Sequence, residues 1–384
     1  MKILVSSNFS HCADRPGAFD NRMAFVLGLR RLGHDVFLVE DVAPERCYDD
    51  SYEPVPFANW KGKERFRARA EALGLWPRCS MVFDGGRETC GLPLREIVAH
   101  ARSADLLLSV ASALETAEIR DAVACRVYVD TAPAKVQVYH AEYGVDYGFD
   151  HYHHWFTFGL NLGTDDCPIP DCGVRWQGLL PPVVLPEWPV APAPDGGSSF
   201  TTVSSWAGSK HTFEYGGVYS GDKADEWRRF AELPRRTGKP MEIALKIHPA
   251  WVEDIELLQG NGWALRDAAE LDSVSAYRTY MAGSRAEFSI ANARYVRFDT
   301  GFFGDRTARY LASGRPALVQ STGFERHLPV GEGLMTFETL EEAAAGLEEI
   351  DGRWEAHARA AREIAVEHFD SDRVLSGLLS EVGA

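Results

Sequence analysis

Between residues 286 and 328 the chain reads AEFSIANARYVRFDTGFFGDRTARYLASGRPALVQSTGFERHL. A short apolar strand, AEFSI, is followed by a glycine-containing loop, Thr300-Gly301-Phe302-Phe303-Gly304, and then by a helix beginning at Asp305. Free amides at such a helix start, with its positive dipole end, suit a diphosphate. Asp305 is equally well explained as an N-cap. Arg306 and Arg309 can pair with phosphate or form a solvated basic face. Trp206, at the end of FTTVSSW, can stack on a base or a sugar, or can be a partly buried core residue. In the first third of the chain the loop after the opening strand holds His11, Asp14, Arg15, Gly17 and Asp20, and the strand RVYVD ends in Asp130, with Gln137 and His140 beyond it. A carboxylate or histidine at the carboxyl end of a strand is well placed as a general base. Asp130 is the first candidate, then His11 and Asp20. A helix cap also accounts for Asp20, and an ordinary loop position for His11.

The elements that must position these residues come in two series. KILVSS is a strand, NRMAFVLGLRRLG a helix with an apolar stripe, and DVFLVE a second strand. Strand, helix and strand within about 40 residues make a βαβ unit, which requires a parallel sheet covered on both faces. Strands follow at 106–110, 126–130 and 154–158, with a helical insertion around Lys63–Leu73. Prolines then recur from Pro168 to Pro194, giving extended chain unsuited to a sheet interior. The second series has strands at 200–206, 241–247, 286–290 and 317–321, with helices near 225–232, 252–259, 273–282 and 305–313. The expected fold class is α/β, two Rossmann-like doubly wound domains facing a central cleft. The boundaries are 1–185 for the first domain, 186–198 for the linker and 199–350 for the second domain. Helices in 351–384 close the chain and pack back on the first domain. Ligands of open α/β sheets bind at the carboxyl ends of the strands, so both domains present loops to the cleft.

Helix, then A-x-G-x-P, then a short buried strand and a glycine loop stand here as TARYLASGRPALVQSTGF. This pattern resembles the donor-binding half of GT-B glycosyltransferases, particularly the bacterial group-1-like and spore-maturation CgeB-like branches. The likeness covers most of residues 200–384; the first half matches in architecture and in the GLRRLGHDV turn. The resemblance implies a metal-independent glycosyltransferase with a nucleotide-sugar donor as co-substrate and no other cofactor. It places the first domain on the side of a small-molecule or glycan acceptor. It also implies that the loop AGSKHTFEYGGVYSGDK faces the donor phosphates, which makes Lys210 and Lys223 candidates, with Lys246 and His248 after MEIALKI. The loop at 300–306 and the one holding Thr322 and Gly323 complete the implied donor site. One position departs from the pattern. The group-1 pattern usually has a glutamate, gripping the donor ribose, five residues before the glycine; here that residue is Arg309. A guanidinium cannot accept ribose hydrogen bonds, so Asp305 or another acceptor takes the role, or the donor is held differently.

Composition narrows the rivals. The 384 residues carry 40 Lys and Arg against 56 Asp and Glu, a net charge of −16. Such a surface repels polyanions and argues against nucleic acid or an anionic membrane as main partner. No run approaches the roughly 20 apolar residues of a membrane span. Seven scattered cysteines fit reduced thiols, and the expected location is cytoplasmic. Cys167 and Cys172, with His151, His153 and His154 shortly before them, could form a metal site, but the Cys-x4-Cys spacing is loose and a second pair is lacking, so solvated histidines and ordinary thiols are the expected reading. The first loop lacks G-x-G-x-x-G, there is no P-loop, and no G-x-S-x-G elbow appears. Asp370-Ser371-Asp372, the one Asp-x-Asp triplet, sits between helices where capping explains it. A nucleotide-sugar epimerase of the same fold, a DNA-base glucosyltransferase and a non-catalytic sugar- or nucleotide-binding protein stay open as alternatives.

Overall fold

The computed structural model describes residues 1–10, 16–49, 53–206 and 212–383. The first sheet is made of β1 (Lys2–Ser7), β2 (Asp35–Val42), β3 (Cys79–Phe83), β4 (Glu88–Cys90), β5 (Leu106–Val110), β6 (Arg126–Asp130), β7 (His154–Thr157) and β8 (Trp176–Gly178). Their order is β4-β3-β2-β1-β5-β6-β7-β8, parallel throughout except at β4. The chain starts in the middle, builds outward through β2 and β3, then returns to pair β5 with β1, Ile3 opposite Leu106. That reversal leaves a crevice at the carboxyl ends of β1 and β5. Branched and apolar side chains on both faces of β1, Ile3 and Val5 on one and Leu4 on the other, enter two separate cores, as a doubly covered parallel sheet demands.

The second sheet holds β9 (Phe200–Ser205), β12 (Met241–Lys246), β13 (Trp263–Asp267), β14 (Ala286–Ser289), β15 (Ala317–Gln320) and β16 (Leu334–Phe337), while β10 (Glu214–Tyr215) and β11 (Val218–Tyr219) form a separate hairpin. The order β13-β12-β9-β14-β15-β16 puts the reversal between β9 and β14. The α/β architecture with two Rossmann-like sheets is therefore present as expected. Strands β3, β4, β8, β13 and β16 were not legible in the apolar pattern, being short or carrying polar residues.

The proline-rich segment joins the two sheets. Val183 N donates to Phe369 O at 2.7 Å, Ser371 N returns a bond to Val183 O, and Ala191 N reaches Ser313 O. Two crossings between the sheets thus lie side by side. Helix Trp354–Ile364 packs on helix Asp305–Ala312 of the second sheet, and Phe369 stacks on Phe303 at 4.9 Å. Only helix Ser371–Glu381 returns to the first sheet, where it lies on helix Pro16–Arg31. Gly28 permits this approach, since a Cβ there would come within 2.9 Å of Ser371 Cβ. Among the described residues no helix is long and apolar enough to cross a membrane.

Candidate active site

The β9/β14 reversal is built around one arginine. The two strands pair only at Ala286–Phe200 and Glu287–Thr201, then splay apart. Arg306, on the first turn of the 305–312 helix, fills the wedge. Its Nε donates to Glu287 Oε1, Nη1 to Val203 O and Nη2 to Ser289 Oγ, each at 2.6 Å. Glu287 is fully buried and its Oε2 has no partner among the described residues. A buried carboxylate is tolerable only when paired, so Arg306 belongs to the frame of the crevice.

Beside this pair stands Lys223, the first residue of helix Lys223–Arg229. It is half-buried, and no hydrogen bond or ion pair holds its ammonium among the described residues. Burial first, and the charge of Arg306 second, push its pKa down to about 7, while Glu287 pulls the other way. An unpaired, desolvated ammonium above the carboxyl ends of the strands is a ready partner for an anion.

Several residues expected at a donor are committed elsewhere. Trp206 is fully buried; its Nε1 donates to Asp254 Oδ2 at 2.7 Å and its ring stacks on Trp227, so it offers no face to a ligand. The Thr300 amide donates to Tyr295 O and the Gly301 amide to Thr322 O, so neither is free for phosphate. Thr322 is buried, with its hydroxyl on Phe302 O, and Gly323 (φ +87°) is enclosed by Asp299, Arg326 and Asn161. Asn161 comes from the first domain: its Nδ2 donates to Asp299 O at 2.7 Å and its N to Thr300 O at 3.1 Å. The 300–301 and 322–323 turns therefore form a joint between domains instead of a ligand loop.

Arg309 belongs to the same seam. It is 1% exposed, its Nε donates to Asp20 Oδ2 at 2.6 Å, and it also pairs with Asp305. Arg278 lies 3.7 Å from the other Asp20 oxygen. Arg309 and Asp20 thus hold the domains together, and neither is placed as phosphate ligand or base. Asp305 is likewise committed to Arg309. Lys246 is exposed at the end of β12, in register with Ser205, and is compatible with ligand contact. Lys210 and His11 lie outside the described residues. Asp370 Oδ1 accepts the Asp372 amide, and Asp372 pairs with Arg31, so that triplet caps a helix.

Across the cleft, Asp130 ends β6 almost fully buried. Oδ1 accepts the Ala132 amide at 2.8 Å; Oδ2 accepts Gln137 Nε2 and Thr157 Oγ1, each at 2.9 Å. Burial raises its pKa against these bonds. The carboxylate shapes the turn into helix Lys135–Glu142, and its geometry is that of a positioning residue, not of an accessible base. Gln137 Oε1 has no partner among the described residues. In Asp130→Asn the Gln137 amide can therefore turn over and accept from the new amide. That variant is expected to keep turnover within about tenfold of the parent; a loss of about 10²–10⁴ in kcat would restore Asp130 as the base. Sequence inspection missed Glu287, because nothing in the residues around it marks a strand glutamate as buried and paired.

Comparison with known proteins bears on the fold. Residues 235–380 match the family described as glycosyl transferase-like. No curated protein matches the chain. Among solved structures, an alpha-glucosyltransferase in complex with UDP is similar over the whole of both chains, with 11% identity and a TM-score of 0.61. Anabaena Alr3699/HepE in complex with UDP-glucose is similar over 99% of this chain and 100% of its own, at 13% identity and TM-score 0.56. AviGT4, a glycosyltransferase involved in avilamycin A biosynthesis, covers 100% of this chain and 97% of its own, at 12% and 0.53. The fold is GT-B. In that frame the Asn161 and Arg309 contacts join the two halves of the GT-B pair.

Proposed function

We propose that the protein is a metal-independent glycosyltransferase that takes its sugar from a UDP-sugar bound at the β9/β14 crevice. The observation that supports this reading is Lys223, an unpaired ammonium beside Arg306 at the reversal point of the second sheet. Its charge, with that of Arg306 behind it, offsets the negative charge gathering on the departing diphosphate, the role a divalent ion plays elsewhere. The similar structures holding UDP or UDP-glucose support uridine as the base. The acceptor enters from the first domain, where Asp130 fixes the turn before residue 135 and His11 is the candidate base of an inverting reaction. The test is calorimetric titration with UDP, GDP and ADP, then assay of UDP release from UDP-sugars with candidate acceptors. UDP binding and acceptor-dependent UDP release are expected, with turnover unchanged by EDTA. Loss of turnover in EDTA with recovery on adding magnesium or manganese would end the metal-free mechanism. Epimerised UDP-sugar without UDP release would identify an epimerase.

A further inference from the structure

The joint at residues 299–304 is shaped around one side chain from the first domain. Asn161 stands just beyond the carboxyl end of β7 and is 2% exposed. Its Nδ2 donates to Asp299 O at 2.7 Å, which leaves Oδ1 as the acceptor, and His327 Nε2 meets that oxygen at 2.7 Å. The Asn161 amide reaches Thr300 O at 3.1 Å, the Leu160 amide reaches Gly301 O, and Gly159 bridges Phe302. The carbonyls of Asp299, Thr300 and Gly301 are thus all bonded from the first domain. A Cβ on Gly301 (φ +68°) would stand 2.7 Å from Asn161 N, and one on Gly323 (φ +87°) 2.5 Å from Asn161 Nδ2. Asp299 itself lies in the left-handed region, at φ +48°, where a residue other than glycine stays only when its surroundings hold it.

The turn held in this way runs directly into the frame of the donor crevice. Gly304 opens the helix Asp305–Ala312, whose start carries no side-chain cap. An uncapped helix start takes its entry geometry from the residues that precede it. Arg306, in the first turn of that helix, is the wedge between β9 and β14, bonded to Glu287, Val203 O and Ser289. The first-domain side is equally fixed: Thr157 Oγ1 donates to Asp130 at 2.9 Å and accepts the Gly159 amide at 3.0 Å. A short series of bonds therefore leads from Asp130, through residues 157–161 and the 299–304 turn, to Arg306. Energetic coupling between sites travels through contiguous hydrogen-bonded elements of this kind.

We propose that Asn161 is a positioning residue of the donor crevice. From the first domain it sets the turn before the Arg306 helix, so the nucleotide site is complete only when the two domains are docked. This rests on the reading of the β9/β14 crevice as the donor site. The experiment is calorimetric titration of the full chain with UDP, with hydrogen exchange of residues 299–309 followed alongside. Asn161→Ala should weaken UDP binding by about fivefold or more and speed exchange in that segment. His327→Ala should act in the same direction, while His327→Gln, whose amide still donates to Asn161 Oδ1, should stay within about twofold of the parent. Arg278→Met is the control, since Arg278 pairs with Asp20 and Glu187 in the same seam and makes no bond to the turn among the described residues. Its UDP affinity should also stay within about twofold. Parent-like UDP affinity in Asn161→Ala, with or without faster exchange, would leave Asn161 a structural pin and overturn the proposal. An equal loss in Arg278→Met would do the same, because any loosening of the seam would then suffice. Circular dichroism checks the fold of each variant, and if Asn161→Ala does not fold the two His327 variants decide. A parent that binds no UDP ends the donor reading and this proposal together, whereas a parent that binds UDP beside unaltered variants ends this proposal alone.

Discussion

Arg309→Glu is expected to lower the melting temperature by roughly 10 °C, through a loss of at least about 3 kcal/mol. The parent guanidinium is 1% exposed, bonded to Asp20 from the first domain and Asp305 from its own helix, and lies 5.7 Å over the Trp188 ring of the connecting segment. Removing one partner from a buried pair costs about 3–5 kcal/mol because the other charge stays buried. A glutamate at that point adds a third carboxylate to two already there. Total stabilities of about 5–15 kcal/mol leave little margin for this. Arg309→Met should lose somewhat less, and Asp20→Asn added to it should cost far less than Asp20→Asn alone, the coupling a double-mutant cycle reads. Thermal melts of the parent and these four variants check this. A variant Arg309→Glu that melts like the parent and gains UDP affinity would show that this position does face the ribose.

Lys223→Met should weaken UDP binding by about 10–100-fold, the loss of a hydrogen bond to a charged group, with the fold intact. The parent should show a pH dependence that the variant lacks. Lys223 titrates at about 7 in the free protein because burial and Arg306 disfavour its charge. A bound diphosphate favours the charged form, so above pH 7 binding takes up a proton, and affinity falls by up to tenfold per pH unit. Below pH 7 the ammonium is already formed and this group contributes no slope. The same shift sets a sign for stability. The unfolded chain binds this proton up to about pH 10.4, the folded chain only to about 7, so the unliganded parent gains stability as pH rises through that window, as seen from this group alone. Calorimetry at pH 6, 7, 8 and 9 on both proteins tests it. A parent whose UDP affinity is flat from 7 to 9 would remove Lys223 from the phosphate contact.

What local sequence determines here is the set of elements and their grouping. Apolar runs such as 106–110 and 126–130 are strands because continuous burial on two faces needs nothing but their own side chains. The Gly314-Arg315-Pro316 entry to β15 and the proline series before residue 195 are equally local, since backbone restrictions belong to the residue itself. The roles of polar residues were not local. Arg309 and Asp20 are 289 positions apart, and only the docking of the two domains turns an apparent phosphate ligand and an apparent base into one buried ion pair. Trp206 sits at the expected strand end, but Asp254 and Trp227 close over it. Thr322 and Gly323 lie in the expected glycine loop, but Asn161 from the other domain reaches that joint. Lys223 reads in the sequence like any other lysine; it is the fold that strips its water and leaves it without an ion pair among the described residues. Side-chain charge is written in the sequence; whether that charge is paired, buried or left for a ligand depends on neighbours that arrive from elsewhere in the chain.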